Sequence, residues 1–144
     1  MLFPCRQIAS NITLVSTAND HTGGKFKVST RTSNSPLSVD FIDAPVSSLL
    51  DFEGQTSNSP ARAKTHPTFE GSFWASTSTW FPVSVTYDDN VEDPAGKGRE
   101  RLVEVRRVGR SETEGTVKWL PAGDEKAYGR FNLHTSNSPI HLFL

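Results

Sequence analysis

The chain is poor in the residues that mark redox and metal proteins. Cys5 is its only cysteine, so neither an intrachain disulfide nor a multi-cysteine metal site can form. The four histidines, His21, His66, His134 and His141, are scattered without H-x-x-x-H or H-E-x-x-H spacing, which excludes the common zinc frameworks. Excess charge of either sign is also missing. The 15 Lys and Arg against 16 Asp and Glu leave a formal net charge of -1, so no global field recruits nucleic acid or an anionic membrane. No apolar run reaches the length of a membrane-spanning helix, and residues 1–4 do not open a secretory signal. A cytoplasmic setting is the expectation, in which the sequon Asn11-Ile12-Thr13 has no role. Cys5 has no neighbour that would stabilise a thiolate and reads as inert. Amphipathic helices are lacking too, apart from one helical turn expected after Asp43, within residues 44–50. A G-x-S-x-G nucleophile elbow is absent.

What the chain does have is strand-forming residues, among them 9 Phe and 3 Trp. It also carries one phrase written three times: Thr32-Ser33-Asn34-Ser35-Pro36, Thr56-Ser57-Asn58-Ser59-Pro60 and Thr135-Ser136-Asn137-Ser138-Pro139. Each part suits a corner between strands. Asn tolerates the left-handed backbone of a sharp turn. The Ser before Pro is driven to extended geometry. Pro lacks an N–H and fits the first residue of a new strand.

The flanks alternate with a period of two, which is strand geometry with one buried face. Phe26, Val28, Thr30 and Thr32 share a face, as do Leu50, Phe52, Gly54 and Thr56, and Phe131, Leu133 and Thr135. The threonine opening each phrase therefore points inward, while Arg31, Gln55 and His134 point outward. After each Pro the apolar face resumes, at Leu37, Val39 and Phe41 and again at Ile140 and Leu142. A degenerate fourth copy reads Ser78-Thr79-Trp80-Phe81-Pro82, and a weaker one Thr17-Ala18-Asn19-Asp20. Pro36 to Pro60 spans 24 residues, Pro60 to Pro82 spans 22, and Pro82 to Pro139 spans 57. The two near-equal intervals predict stacked units; the long one holds an insertion over about residues 88–128. Within it, residues 88–98 read as a polar loop. Residues 102–105 and 115–120 read as a β-hairpin with a long polar tip, and Pro121-Ala122-Gly123-Asp124 as a turn. The expected fold is one all-β domain over residues 1–144. It is a short β-solenoid or two-sheet stack of strand-corner-strand units, with a protruding β-hairpin.

The repeated phrases resemble the T-[ST]-N-[GAS]-[PI] corners of adhesin domains that form β-solenoids. The chain is more closely similar to an uncharacterised group of fungal, mainly mushroom-type, proteins. In that group such corners precede a phrase like Phe69-Glu70-Gly71-Ser72-Phe73. A Gly-Arg-rich segment like Lys97-Gly98-Arg99-Glu100-Arg101 follows, then a hairpin and a final C-terminal repeat. The resemblance runs from about Gly24 onward. It implies a non-enzymatic interaction or scaffold module with no cofactor, and it carries over no catalytic residue. Upstream repeats are reduced here to one weak copy. One end of the stack is thus thinly capped, and self-association into a homo-oligomer is the expected extension.

Candidate sites are few. Asn34, Asn58 and Asn137 would line up in a stack, either as a polar array for a sugar, a polymer surface or ice, or as a corner-stabilising ladder. The ladder carries more weight, because Asn suits such corners for backbone reasons alone. Asp88, Asp89, Glu92 and Asp93 crowd one loop, yet without EF-hand spacing a solvated loop is favoured over a calcium site. Lys97, Arg99, Arg101, Arg106, Arg107 and Arg110 are interleaved with Glu100, Glu104, Glu112 and Glu114, which argues for a charged face rather than a phosphate site. Trp74 and Trp80 differ by an even number of positions, with Phe73 and Phe81 of opposite parity; one such face can stack on sugar rings. The first reading is therefore an interaction module that meets a protein or glycan surface. The alternative is a carbohydrate-binding module using Trp74 or Trp80 and the corner asparagines. A hydrolase with paired carboxylates ranks third.

Overall fold

The computed structural model describes residues 8–15, 23–78, 80–121 and 129–144. Cys5, His21, the weak copy Thr17-Ala18-Asn19-Asp20, Thr79 of the degenerate copy and the turn at 122–124 lie outside these. Among the described residues the structure is all-β, without helix. The strands are β1 (Ile8–Thr13), β2 (Lys25–Arg31), β3 (Leu37–Asp43), β4 (Leu49–Thr56), β5 (Ala61–Lys64) and β6 (Gly71–Ser76). They continue with β7 (Val83–Thr86), β8 (Glu100–Arg107), β9 (Glu112–Leu120), β10 (Gly129–Thr135) and β11 (Ile140–Phe143).

They form two sheets. One has five strands in the order β1-β3-β5-β11-β7; the other has six, in the order β2-β4-β10-β6-β9-β8. Each repeated phrase carries the chain from the six-stranded sheet to the five-stranded one: β2 to β3, β4 to β5 and β10 to β11. The degenerate phrase joins β6 to β7 in the same sense. Neighbouring strands of these units pair in parallel in both sheets. The stacking order is not the chain order. The last unit, β10–β11, lies between the second unit, β4–β5, and the degenerate unit, β6–β7.

Registry explains how the interior fills. Val28, Phe52 and Phe131 are lateral partners on β2, β4 and β10, and Phe131 pairs in turn with Phe73 on β6. Phe52 and Phe131 stack with centroids 4.4 Å apart, while Phe41 from the opposite sheet meets Phe52 edge-on at 5.5 Å. Such geometry adds to the burial energy of the rings. The next partner in the row is Gly115 on β9. A Cβ there would lie 2.0 Å from the Glu104 carbonyl oxygen and 2.5 Å from the Phe73 ring, so only glycine admits both the ring and the hairpin.

The threonines form a row of their own. Thr56 and Thr135 are fully buried. Thr135 bonds the Ser138 carbonyl, the Thr77 hydroxyl donates to that same carbonyl at 2.7 Å, and the two hydroxyls lie 2.7 Å apart. Thr77 is therefore the fourth threonine of the row. The degenerate corner runs from Thr77 to Pro82, one residue longer than the others, and the alignment that started it at Ser78 is shifted by one. Ser78 stands outside the threonine row because the pairing of His134 with Ser76 fixes Thr77 opposite Thr135.

Three other expectations are corrected. Among the described non-glycine residues only Ser47 has a positive φ, at 59°, so the corner asparagines do not use the left-handed region. Their role is lateral: Asn58 Nδ2 donates to Asn34 Oδ1 at 2.8 Å, and Asn137 Nδ2 to Asn58 Oδ1 at 3.1 Å. The helical turn within residues 44–50 is instead a tight turn around Ser47, tied by Gly23 N–H to the Val46 carbonyl. The hairpin does not protrude. Its second strand, β9, pairs antiparallel with β6 over residues 71–76, and the connection between β8 and β9 is only residues 108–111. Free N–H and C=O groups on β6 make that pairing more favourable than projection into solvent.

Phe131→Ala should destabilise the fold by roughly 3–5 kcal/mol, whereas Asn132→Ala on the outer face should stay within about 0.5 kcal/mol. Equilibrium urea unfolding compares the two. Asn58→Ala breaks both bonds of the ladder and should cost about 1–2 kcal/mol in the same assay.

Candidate functional site

The outer face of the six-stranded sheet gathers the side chains that the strands turn away from the core. Trp74 stands in the middle of β6, with Asn132 of β10 as its partner on one side and Glu114 of β9 on the other. The residue remains 36% exposed. Its Nε1–H donates to Glu112 Oε1 at 2.6 Å, a short charge-assisted bond that fixes the ring. The His134 ring lies parallel to it within 3°, centroids 6.4 Å apart. Beside the indole runs an open groove of about 560 Å³, lined by Ser72, Trp74, Asn132, Glu104, Arg106 and Glu114. Small Ser72 and Thr116, lateral partners on β6 and β9, keep it shallow. Arg106 Nη1 bonds Glu114 at 3.3 Å, and the Thr116 hydroxyl donates to Glu104 at 3.2 Å. The groove thus offers one flat apolar face with donors and acceptors held at its rim.

Sequence-level candidates fall in different places. Trp80 is 87% exposed, but it sits at the degenerate corner and takes no part in the groove. Phe73 is buried, as its parity requires. Asn34, Asn58 and Asn137 run along the corners, where their amides bond one another. Among the described residues no group of three His, Cys, Asp or Glu side chains could hold a metal ion.

The acidic loop has a structural task. Asp93 accepts from the main-chain N–H of Ala95, Lys97 and Arg99, and its carboxylate also takes the Arg99 guanidinium at 2.9 Å. Arg99 reaches on to Glu70, and Glu70 Oε1 accepts Trp119 N–H at 3.1 Å. The loop is therefore tied to the main chain of β9 at Trp119. From the basic segment, Arg99 serves this network, Arg106 pairs with Glu114, and half-buried Arg101 donates to the Asp88 carbonyl at 3.4 Å.

Glu104, Glu112, Glu114, Asn132 and His134 were not legible as neighbours of Trp74. Asn132 and His134 carry the right outward parity, alternating with Phe131, Leu133 and Thr135. No local signal, however, announces that β10 and β9 flank β6. No protein-family model, curated protein or solved structure matches this chain. Among the described residues no helix is long and apolar enough to cross a membrane.

The Arg99 guanidinium and the loop N–H groups hold the Asp93 carboxyl far below its usual value of 3.8. A carboxyl depressed on folding stabilises above its unfolded pKa, and that stability is lost as pH falls below it. The wild-type chain should therefore weaken progressively below about pH 4. Asp93→Asn should be less stable at neutral pH by roughly 2 kcal/mol and should weaken less on acidification, as read by thermal melts across pH.

Proposed function

We propose that this chain is a non-enzymatic interaction module of adhesin type, its parallel units stacked as a short β-solenoid, and that it takes a glycan on the groove beside Trp74. The observation that carries the reading is the exposed indole, locked by Glu112 beside Asn132, Glu104 and Glu114. Aromatic faces pack against the apolar face of a sugar ring, and neighbouring amides and carboxylates meet its hydroxyls. Asn132, Glu114 and Glu104 supply such groups within one groove. Each of the three carboxylates already holds a neighbour: Glu112 the indole, Glu114 Arg106, and Glu104 Thr116. A fixed, pre-organised rim suits recognition more than turnover.

Tryptophan fluorescence read against a panel of oligosaccharides tests this. A ligand that changes the emission of the wild-type chain should lose roughly tenfold in affinity with Trp74→Ala and keep it with Trp80→Ala. Silence across the panel, or a response abolished by Trp80→Ala alone, would sink the reading.

A further inference from the structure

The six-stranded sheet ends in two strands with an open side among the described residues, β2 and β8. From β2 to β6 the neighbours run parallel, and two reversals through β9 return β8 to the direction of β2. The main-chain groups agree with that direction. Thr32 N–H donates to Gln55 and Leu49 N–H to Gly24. Alternation along the strand then gives Phe26, Val28 and Thr30 to β4 and turns the N–H and C=O of Lys27, Ser29 and Arg31 to the open side. On β8, Val108 N–H donates to Glu112, so Glu104 and Arg106 bond β9 while Val103 and Val105 face the open side. Of two aligned residues in a parallel pair one bonds across the pair and the other bonds away from it, as Val28 bonds β4 while Phe52 bonds β10. Val103 aligned with Phe26 of a second copy satisfies that rule, and both side chains fall on the inner face.

The same alignment sets Val105 against Val28 and Glu104 against Lys27 of the second copy. Charge supports it. Across the outer face one row of lateral partners reads Lys27, Asp51, Arg130, Ser72, Thr116, Glu104, and Lys27 of the next copy continues its alternation. The ends are also stepped in opposite senses: β9 and β8 extend past β7, whereas β1 extends past β2. A two-fold contact of β2 with itself would oppose Lys25, Lys27 and Arg31 to one another, which like charges disfavour. We propose that copies of this chain assemble head to tail, β8 of one pairing in parallel with β2 of the next. Such a heterologous contact does not close on itself and propagates.

Ser29→Pro and Val105→Pro each remove a donor from one open side, a position where edge strands tolerate proline. By light scattering, the wild-type mass should rise with concentration past two copies. Each variant alone should stay monomeric. Their equal mixture should form two-copy species and nothing larger, because only one competent pair of edges remains. A wild-type chain that is monomeric throughout overturns the proposal. So does a mass that stops at two and ignores Ser29→Pro, or a mixture that stays monomeric while circular dichroism shows both variants folded. If either proline unfolds the chain, charge reversal replaces it. Lys27→Glu and Glu104→Lys should each lower the mean mass, and both together in one chain should restore it. Failure of that restoration is equally fatal.

Discussion

Phe131 lies flat against Phe52, and that contact forms only if β10 runs beside β4 without a slip of register. A shift by one residue would turn Phe131 and Leu133 to solvent and carry Arg130 and His134 into the interior. The same registry brings Thr135 to Thr77 and Asn137 to Asn58, so aromatic stack, threonine row and amide ladder stand or fall together. Backbone bonds at the corners tighten it. Leu37 N–H reaches the Pro60 carbonyl, Ala61 that of Pro139, and Ile140 that of Pro82. β3, β5 and β11 thus each start at a level set by a neighbour.

Small residues decide where the stack can close. Gly71 and Gly129 are lateral partners on β6 and β10, and a Cβ on Gly71 would lie 2.2 Å from the Gly129 carbonyl oxygen. Gly115 in turn admits the Phe73 ring beneath the hairpin. These permissions let β10 enter between β4 and β6 and let β9 add to β6. The groove is a by-product of that second event. Without β9, Trp74 would lack the Glu112 carboxylate that orients it and the Glu104, Arg106 and Glu114 rim beside it.

Period-two alternation around the phrases placed Phe52, Phe131, Leu133, Thr56 and Thr135 correctly inside, because side-chain direction along a strand is a local property. The lateral stacking of the asparagines was legible for the same reason, since three identical corners repeat at one level of the stack. Their backbone was misjudged: Asn is permissive of left-handed geometry but does not require it, and here its amide serves the ladder. The degenerate corner was read one residue out of step. Its extra residue is invisible until Ser76 is seen beside His134. The hairpin was found, with strands that prove longer and a destination that was not foreseen.

The sequence by itself determined the strands that flank the three exact phrases and which of their side chains face the core, since alternation and turn chemistry act over a few neighbouring residues; β1 carried no such signal. Only the tertiary structure decided the order of the units, the docking of β9 on β6 and hence the company that Trp74 keeps. Those choices join residues as far apart as Trp74 and Asn132. They depend on which ring fits beside which glycine, a matter of packing that no local pattern encodes.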